Sequence, residues 1–376
     1  MRSLKLPAVP NNSCYYAGID LGTSGCRLIV MDGNQVVRAE ARVMYPANIA
    51  QTPELWWAAV QQVLAELPAA IREHLRGIAV DGTSGTLLLA DAAGNPTTPA
   101  LMYNDARALK QARQIAALAP RESGAHGATS SLAKLLWLLE AYPDQAHAYA
   151  LHQADWIAGK LCRGGSRTAL TAAPTAMFGF SDENNCLKLG YDPVKREWPA
   201  WVKALVPDYL LPTVFAPGDK IGNSIVHAGT TDSIAAFIAT GANALGDAVT
   251  SLGSTIALKI ISDKPIFAPE FGIYSHRLGD KWLAGGASNS GGAVLLQHFS
   301  RDELQRLTPQ LQPDTPTGLD YYPLSKPGER FPHADPQWLP RLTPRPVDDV
   351  QFLQALLEGM SRIEWEGWQR LHELGA

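Results

Sequence analysis

A chain of 376 residues, 46% hydrophobic and 18% charged, has the apolar content for two folded domains and is neither fibrous nor disordered in composition. A formal net charge of −4 without a long basic run excludes a nucleic-acid footprint, and no apolar run reaches the ~18 residues that a membrane span needs. The four cysteines, Cys14, Cys26, Cys162 and Cys186, are scattered without a C-x-x-C pair, which points to a reducing compartment and to neither a zinc site nor a disulfide framework.

Met1–Ser13 has basic residues but no apolar signal core, and residues 1–15 read as a disordered leader, short for a transit peptide. Ala17–Val30 reads as strand, turn and returning strand. The first run delivers Asp20 to the turn Gly22-Thr23-Ser24-Gly25, where glycine lets backbone approach a ligand and hydroxyls suit phosphate oxygens. A plain hairpin would look the same. Asn34–Val43 continues as strand, and Pro53–His74 reads as one helix with Trp56, Val60, Val63, Leu64 and Leu67 along its apolar stripe. Gly77–Asp91 repeats the opening pattern, with Asp81-Gly82-Thr83-Ser84-Gly85-Thr86 at its turn. Ser84 is there a candidate to hydrogen-bond a polyol, or the segment is only a second hairpin.

Helices are expected at Ala106–Leu118, Ser131–Tyr142, Gln153–Leu161 and Pro199–Leu205. Gly164–Phe180 reads as a loop or insertion, and the Pro/Gly punctuation of Pro207–Asp219 as an interdomain crossing. Ala228-Gly229-Thr230-Thr231-Asp232-Ser233 then leads into a helix over Ile234–Ala242. This sets backbone donors beside a carboxylate, although helix capping alone would account for Asp232 and Ser233. Ala248–Ile260 matches the opening hairpin in form, with Ser251 in place of the acid and Gly253-Ser254-Thr255 at the turn. A glycine-rich link, Gly285–Gly292, precedes a helix over Val294–Phe299. Leu319–Arg345 is a proline-rich surface loop, and Val350–Leu374 a terminal helix. Two hydroxyl-rich turns, one in each half, suit a clamp on nucleotide phosphates, and the absence of Gly-x-x-x-x-Gly-Lys-[Ser/Thr] excludes a P-loop enzyme.

Gly18–Ser24, Ala228–Ser233 and Ser251–Thr255, taken together and in order, resemble the FGGY carbohydrate kinase family. Asp81–Thr86, Gly285–Gly292 and Gly318–Pro323 resemble its D-ribulose kinase branch, which includes proteins first labelled xylulose kinases. The resemblance implies an α/β, two-domain ribonuclease-H-like (actin-like ATPase) fold. A sugar-binding domain would span residues 16–217 and a nucleotide-binding domain residues 218–376. It also implies ATP-dependent phosphorylation of a ketopentose, D-ribulose before D-xylulose, with Mg2+. Asp232 matches the catalytic base and Asp20 the acid that orients metal and hydroxyl. Asp20, Ser24, Gly25, Cys26, Arg27, Ser84 and Asp232 match the substrate side; Thr23, Gly253, Ser254, Thr255 and Gly286 match the nucleotide side.

Family members continue past the terminal helix into a strand and a glycine-rich adenosine turn. The second domain is therefore expected to be incomplete, lacking its last strand-turn-helix element, with weak ATP binding and little turnover. Competing readings are a non-catalytic sugar- or nucleotide-binding remnant and an actin-like ATPase or chaperone. Partners are expected to be small molecules, without nucleic acid or membrane, for a monomer or homodimer in the cytoplasm, with the chloroplast as alternative.

Overall fold

The computed structural model describes residues 14–162 and 177–376, so residues 1–13 of the expected leader and most of the Gly164–Phe180 loop lie outside the described residues, while Tyr15, expected in the leader, opens the first strand. The chain divides into two compact units, Met1–Ala236 and Phe237–Ala376.

The first unit is built on a five-stranded sheet. β1 (Tyr15–Leu21), β2 (Gly25–Asp32) and β3 (Val37–Met44) form an antiparallel meander. The chain then passes through α1 (Pro53–Ala65) and α2 (Ala69–Arg72) into β4 (Leu75–Gly82), which pairs with β1 in parallel. The single helix expected over Pro53–His74 is two helices. Pro68 caps the second with extended backbone and has no N–H to continue the first.

β5 (Leu87–Ala90) leaves the sheet and pairs with β6 (Tyr149–His152), with α3 (Leu109–Ala116) and α4 (Ser131–Ala141) between them. α5 (Gln153–Leu161) follows β6 directly. β7 (Phe180–Asp182), α6 (Glu183–Cys186), α7 (Ala200–Lys203) and β8 (Thr213–Phe215) come next, β8 pairing in parallel with β7. Pro207–Asp219 is thus no interdomain crossing, since part of it is strand within the first unit. β9 (Val226–Thr231) adds to β4 in parallel and gives the order β3-β2-β1-β4-β9. Because β9 is hydrogen-bonded into this sheet, the boundary falls after Ala236 and not at 217/218 as expected; the helix α8 (Asp232–Ile238) begins directly at β9's end.

The alternation of β1 and β2 sends Ile19, Leu21, Leu28 and Val30 to one face, where they are buried with Trp56, Val60 and Val63 of α1 and Ile157 and Leu161 of α5. α4 and β5 build a second cluster with Leu87, Leu89, Leu132, Leu135 and Leu138. Burying such side chains contributes roughly 2 kcal/mol each, which holds both helices to the strands that carry the site.

In the second unit β10 (Ala248–Leu252) and β11 (Ile256–Ser262) form the expected hairpin. A small hairpin, β12 (Phe267–Ala268) with β13 (Ile273–Tyr274), precedes β14 (His276–Leu278) and β15 (Lys281–Ala287). The sheet order β10-β11-β15-β14 is antiparallel throughout. Among the described residues it has no counterpart of the parallel strands β4 and β9. α9 (Gly292–His298), α10 (Arg301–Leu307) and the long α11 (Asp349–Glu373) complete the unit. α11 places Met360 and Leu371 against Ile256, Leu258 and Phe331.

Candidate active site

Three carboxylates stand at one end of the first sheet. β1, β4 and β9 run parallel, so Leu21, Gly82 and Thr231 end them on the same side, where ligands of open α/β sheets bind. Asp20 and Asp81 are register partners on adjacent strands and therefore point to the same face. Asp232 follows the end of β9 as the first residue of α8.

The geometry couples their charges. Asp81 and Asp20 are hydrogen-bonded side chain to side chain, which requires a proton between them. Burial, followed by the negative charges of Asp20 and Asp232, pushes the Asp81 carboxyl up to about 8. Asp81 is thus held protonated at neutral pH. The Asp232 carboxylate accepts the Ser233 N–H at 2.7 Å, which fixes its rotamer at the helix start.

The other expected positions separate into those that reach this end and those that do not. Ser24 is exposed on the β1–β2 turn, and its carbonyl accepts from Tyr45 N at 2.9 Å. Thr23 is exposed as well, its carbonyl held by Gln51 Nε2 at 2.8 Å. Arg27 lies across β2 from Asp20, with its guanidinium 4.0 Å from the carboxylate, a loose and solvated pair. Gly25 is needed for packing, because a Cβ there would overlap the Val43 carbonyl of β3. Cys26 departs from expectation: its thiol lies in the hydrophobic core, and burial, then Asp20 and Asp81, push it up to about 12. The inward alternation of β2 places it there, so its side chain cannot touch a substrate. Ser84 is half-buried on the turn after β4.

In the second unit, Gly253–Thr255 form the tight β10–β11 turn, closed by Gly253 N to Thr255 O at 3.1 Å. The link ahead of α9 packs on this turn. Gly292 N donates to Gly253 O at 2.9 Å, and a Cβ on Gly291 would strike Thr255 and Ser254. Gly286, expected to face the nucleotide, instead lies against the Phe331 ring, which any Cβ would overlap; its smallness serves packing. Glu329 fixes the end of this link, accepting from Ser288 Oγ at 2.6 Å and Asn289 N at 2.8 Å.

Asp81 is the site residue that sequence reasoning passed over, because it was read as the lead-in to a turn. The repeat of an Asp shortly before Gly-Thr-Ser-Gly, after two apolar runs, was the available signal. One other constellation has catalytic geometry. His152 Nδ1 is 2.8 Å from Asp155 Oδ2, and its Nε2 is 3.1 Å from Ser131 Oγ. All three residues are at most 4% exposed, so no substrate reaches them; they fasten α4 to α5.

The profile of the FGGY family of carbohydrate kinases, N-terminal domain, matches residues 15–223, more than half of the chain. The chain belongs to the FGGY family. Among curated proteins, the xylulose kinase of Streptomyces coelicolor is 27% identical over 280 residues, covering 66% of this chain and 54% of that protein. The chain thus spans only about half the length of that relative. The Escherichia coli xylulose kinase is 24% identical over 345 residues, covering 86% of this chain and 71% of its own. Among solved structures, the xylulose kinase of Bifidobacterium adolescentis superposes with a TM-score of 0.76 at 21% identity, over 97% of this chain and 83% of that one. A Plasmodium falciparum glycerol kinase solved with ADP gives 0.76 at 15% identity, over 96% and 79%. These FGGY kinases have the actin-like, ribonuclease-H-like fold expected from the motifs, and the sheet order of the first unit accords with it. No described helix is long and apolar enough to cross a membrane.

Proposed function

We propose that this FGGY chain transfers the γ-phosphoryl group of ATP to a hydroxyl of a ketopentose, with D-xylulose the preferred sugar. The observation that carries the reading is the placement of Asp20, Asp81 and Asp232 at the carboxyl ends of three neighbouring parallel strands. D-ribulose, the expectation from the motifs, gives way to D-xylulose because the relatives that align over most of this chain are named xylulose kinases.

In this reading Asp232 accepts the proton of the attacking hydroxyl, held in orientation by Ser233 N–H. Phosphoryl transfer depends mainly on positioning and charge stabilisation, so a carboxylate of ordinary basicity suffices as the base. Asp81 steadies Asp20 by donating to it, and Ser84 offers a hydroxyl to the sugar. Mg2+, when bound, neutralises charge on the transferred phosphoryl oxygens. Asp20 supplies the hard oxygen that Mg2+ prefers. No group of three or more His, Cys, Asp or Glu side chains encloses a metal among the described residues, so phosphate and water oxygens would complete the shell. The second unit, with its turn at Gly253–Thr255, takes the nucleotide, in a protein working in the cytoplasm as monomer or homodimer.

A coupled assay of ADP release tests this. Release that requires D-xylulose, falling by about 10²–10⁴-fold in kcat on Asp232→Asn, is the expected result. Sugar-independent release, or undiminished turnover in that variant, overturns it; faster turnover of D-ribulose overturns the sugar preference alone.

A further inference from the structure

The turn after β4 is held more firmly than its own sequence requires. Gln153 Oε1 at the start of α5 accepts from Thr83 N at 3.0 Å and Thr83 Oγ1 at 2.8 Å, and Gln153 N donates to Thr86 O at 3.2 Å. The hydroxyls of Thr83 and Thr86 lie 2.6 Å apart. The two carbonyls at the tip are taken by lysine side chains from far along the chain. Lys134 Nζ of α4 donates to Gly85 O at 2.7 Å, and Lys188 Nζ, just beyond α6, donates to Ser84 O at 3.2 Å.

Lys134 also ties in a second loop, donating to Met102 O at 2.6 Å and Tyr103 O at 3.2 Å. Its side chain is 0% exposed. Burying an ammonium group is costly, and ordinary turns are stable without one. Three carbonyl acceptors match the three N–H donors of the protonated form. Burial and the nearby Lys188 oppose that form, drawing Lys134 down to about 7. Gly85 between the two pinned carbonyls has φ +87°, and a Cβ there would press on the Lys188 stem. Together these contacts fix the peptide planes on both sides of the Ser84–Gly85 junction, and with them the direction of the Ser84 side chain.

We infer that Lys134 and Lys188 are positioning residues for the sugar, clamping the Thr83–Thr86 turn through its carbonyls so that Ser84 Oγ is presented at a fixed angle three residues beyond Asp81. The inference rests on the reading of this end of the sheet as a sugar site. A hydroxyl selects among sugar hydroxyls by direction, and a preset direction removes an ordering cost from binding. The clamp therefore acts on sugar affinity and leaves phosphoryl transfer alone.

The test uses Lys188→Met in the full chain, because Lys188 is half-buried and its loss leaves the core intact; Lys134, whose removal would strand three carbonyls, is left in place. Losing one charged hydrogen bond corresponds to about tenfold. The expected result is a rise of about tenfold in KM for the ketopentose, with kcat and KM for ATP unchanged and Lys188→Arg restoring the wild-type value. In the unliganded protein, amide exchange at Thr86 accelerates by a similar factor, while Leu88 and Leu89 in β5 keep their protection. Unchanged exchange at Thr86 overturns the clamp whatever the activity. Faster exchange with an unaltered sugar KM overturns the positioning role. Faster exchange in a protein whose wild type neither binds nor phosphorylates a ketopentose overturns the functional reading and leaves the clamp standing.

Discussion

Asp81 shows how one residue acquires a property absent from its own chemistry. A carboxyl in water ionises near 4, but here burial and two neighbouring carboxylates hold it protonated to about 8. The folded protein therefore keeps a proton that the unfolded chain releases above pH 4. Stability from this group is full below about pH 4 and declines as pH rises through about 8. Asp81→Asn keeps a hydrogen-bond donor toward Asp20 and removes the titration. Without divalent cations, the urea midpoint of the wild type is expected to fall relative to that of Asp81→Asn between pH 5 and pH 8.5; parallel curves would show that Asp81 ionises normally. This carboxyl was not legible in the sequence as part of a trio. Its partners lie 61 and 151 positions away, and only the register of β1 against β4 makes Asp20 its neighbour. Asp232 was legible because the turn and helix start that orient it are local. Cys26 misled for the opposite reason: it sits in a functional-looking turn motif, yet strand alternation buries it.

At the level of elements, close approach of backbones decides where β9 can lie. β4 and β9 pair with an irregularity between Ala79 and Asp81, and at Gly229 the strands come so close that a Cβ would overlap the Val80 carbonyl. Gly229→Ala must push β9 outward, moving Asp232 from Asp81. The expected cost is about 3 kcal/mol from overpacking, read from urea unfolding, with kcat falling further than stability alone accounts for. Full retention of both would show that the strand pair tolerates separation. Hairpins with local turns, such as β1–β2 and β10–β11, could be read directly from Gly, Thr and Ser between apolar runs. The parallel pairings of the five-stranded sheet could not, since β1–β4 and β4–β9 join segments more than 50 residues apart and leave no periodic trace. The expected break at Pro207–Asp219 shows the same limit: proline and glycine mark turns, but whether a turn ends a domain depends on which strand pairs next. Pro68, by contrast, was a local signal of a helix break that the apolar stripe of α1 overrode.

On the scale of the whole chain, each unit has hydrophobic clusters of its own among the described residues. The clusters around Ile19, Trp56 and Leu161 and around Leu89 and Leu135 belong to residues 14–236, while those around Leu258 and Phe331 and around Phe352 and Leu356 belong to residues 237–376. A chain with separate cores of this size unfolds as more than one cooperative unit. Calorimetry is expected to give a van't Hoff enthalpy well below the calorimetric one, resolvable into two components. Because the carboxylates and the Ser84 turn all lie in the first unit, D-xylulose without nucleotide should stabilise only one component. At about 100 times its Kd the sugar adds about 2.7 kcal/mol to that unit, a shift of about 5–10 °C for a domain of this size. The thermogram of Asp232→Asn with and without sugar separates binding from catalysis, since under the proposed role of Asp232 its change to Asn leaves most sugar contacts in place. A single two-state endotherm would sink the separate-core argument, and equal shifts of both components would move the sugar site away from the end of β1, β4 and β9.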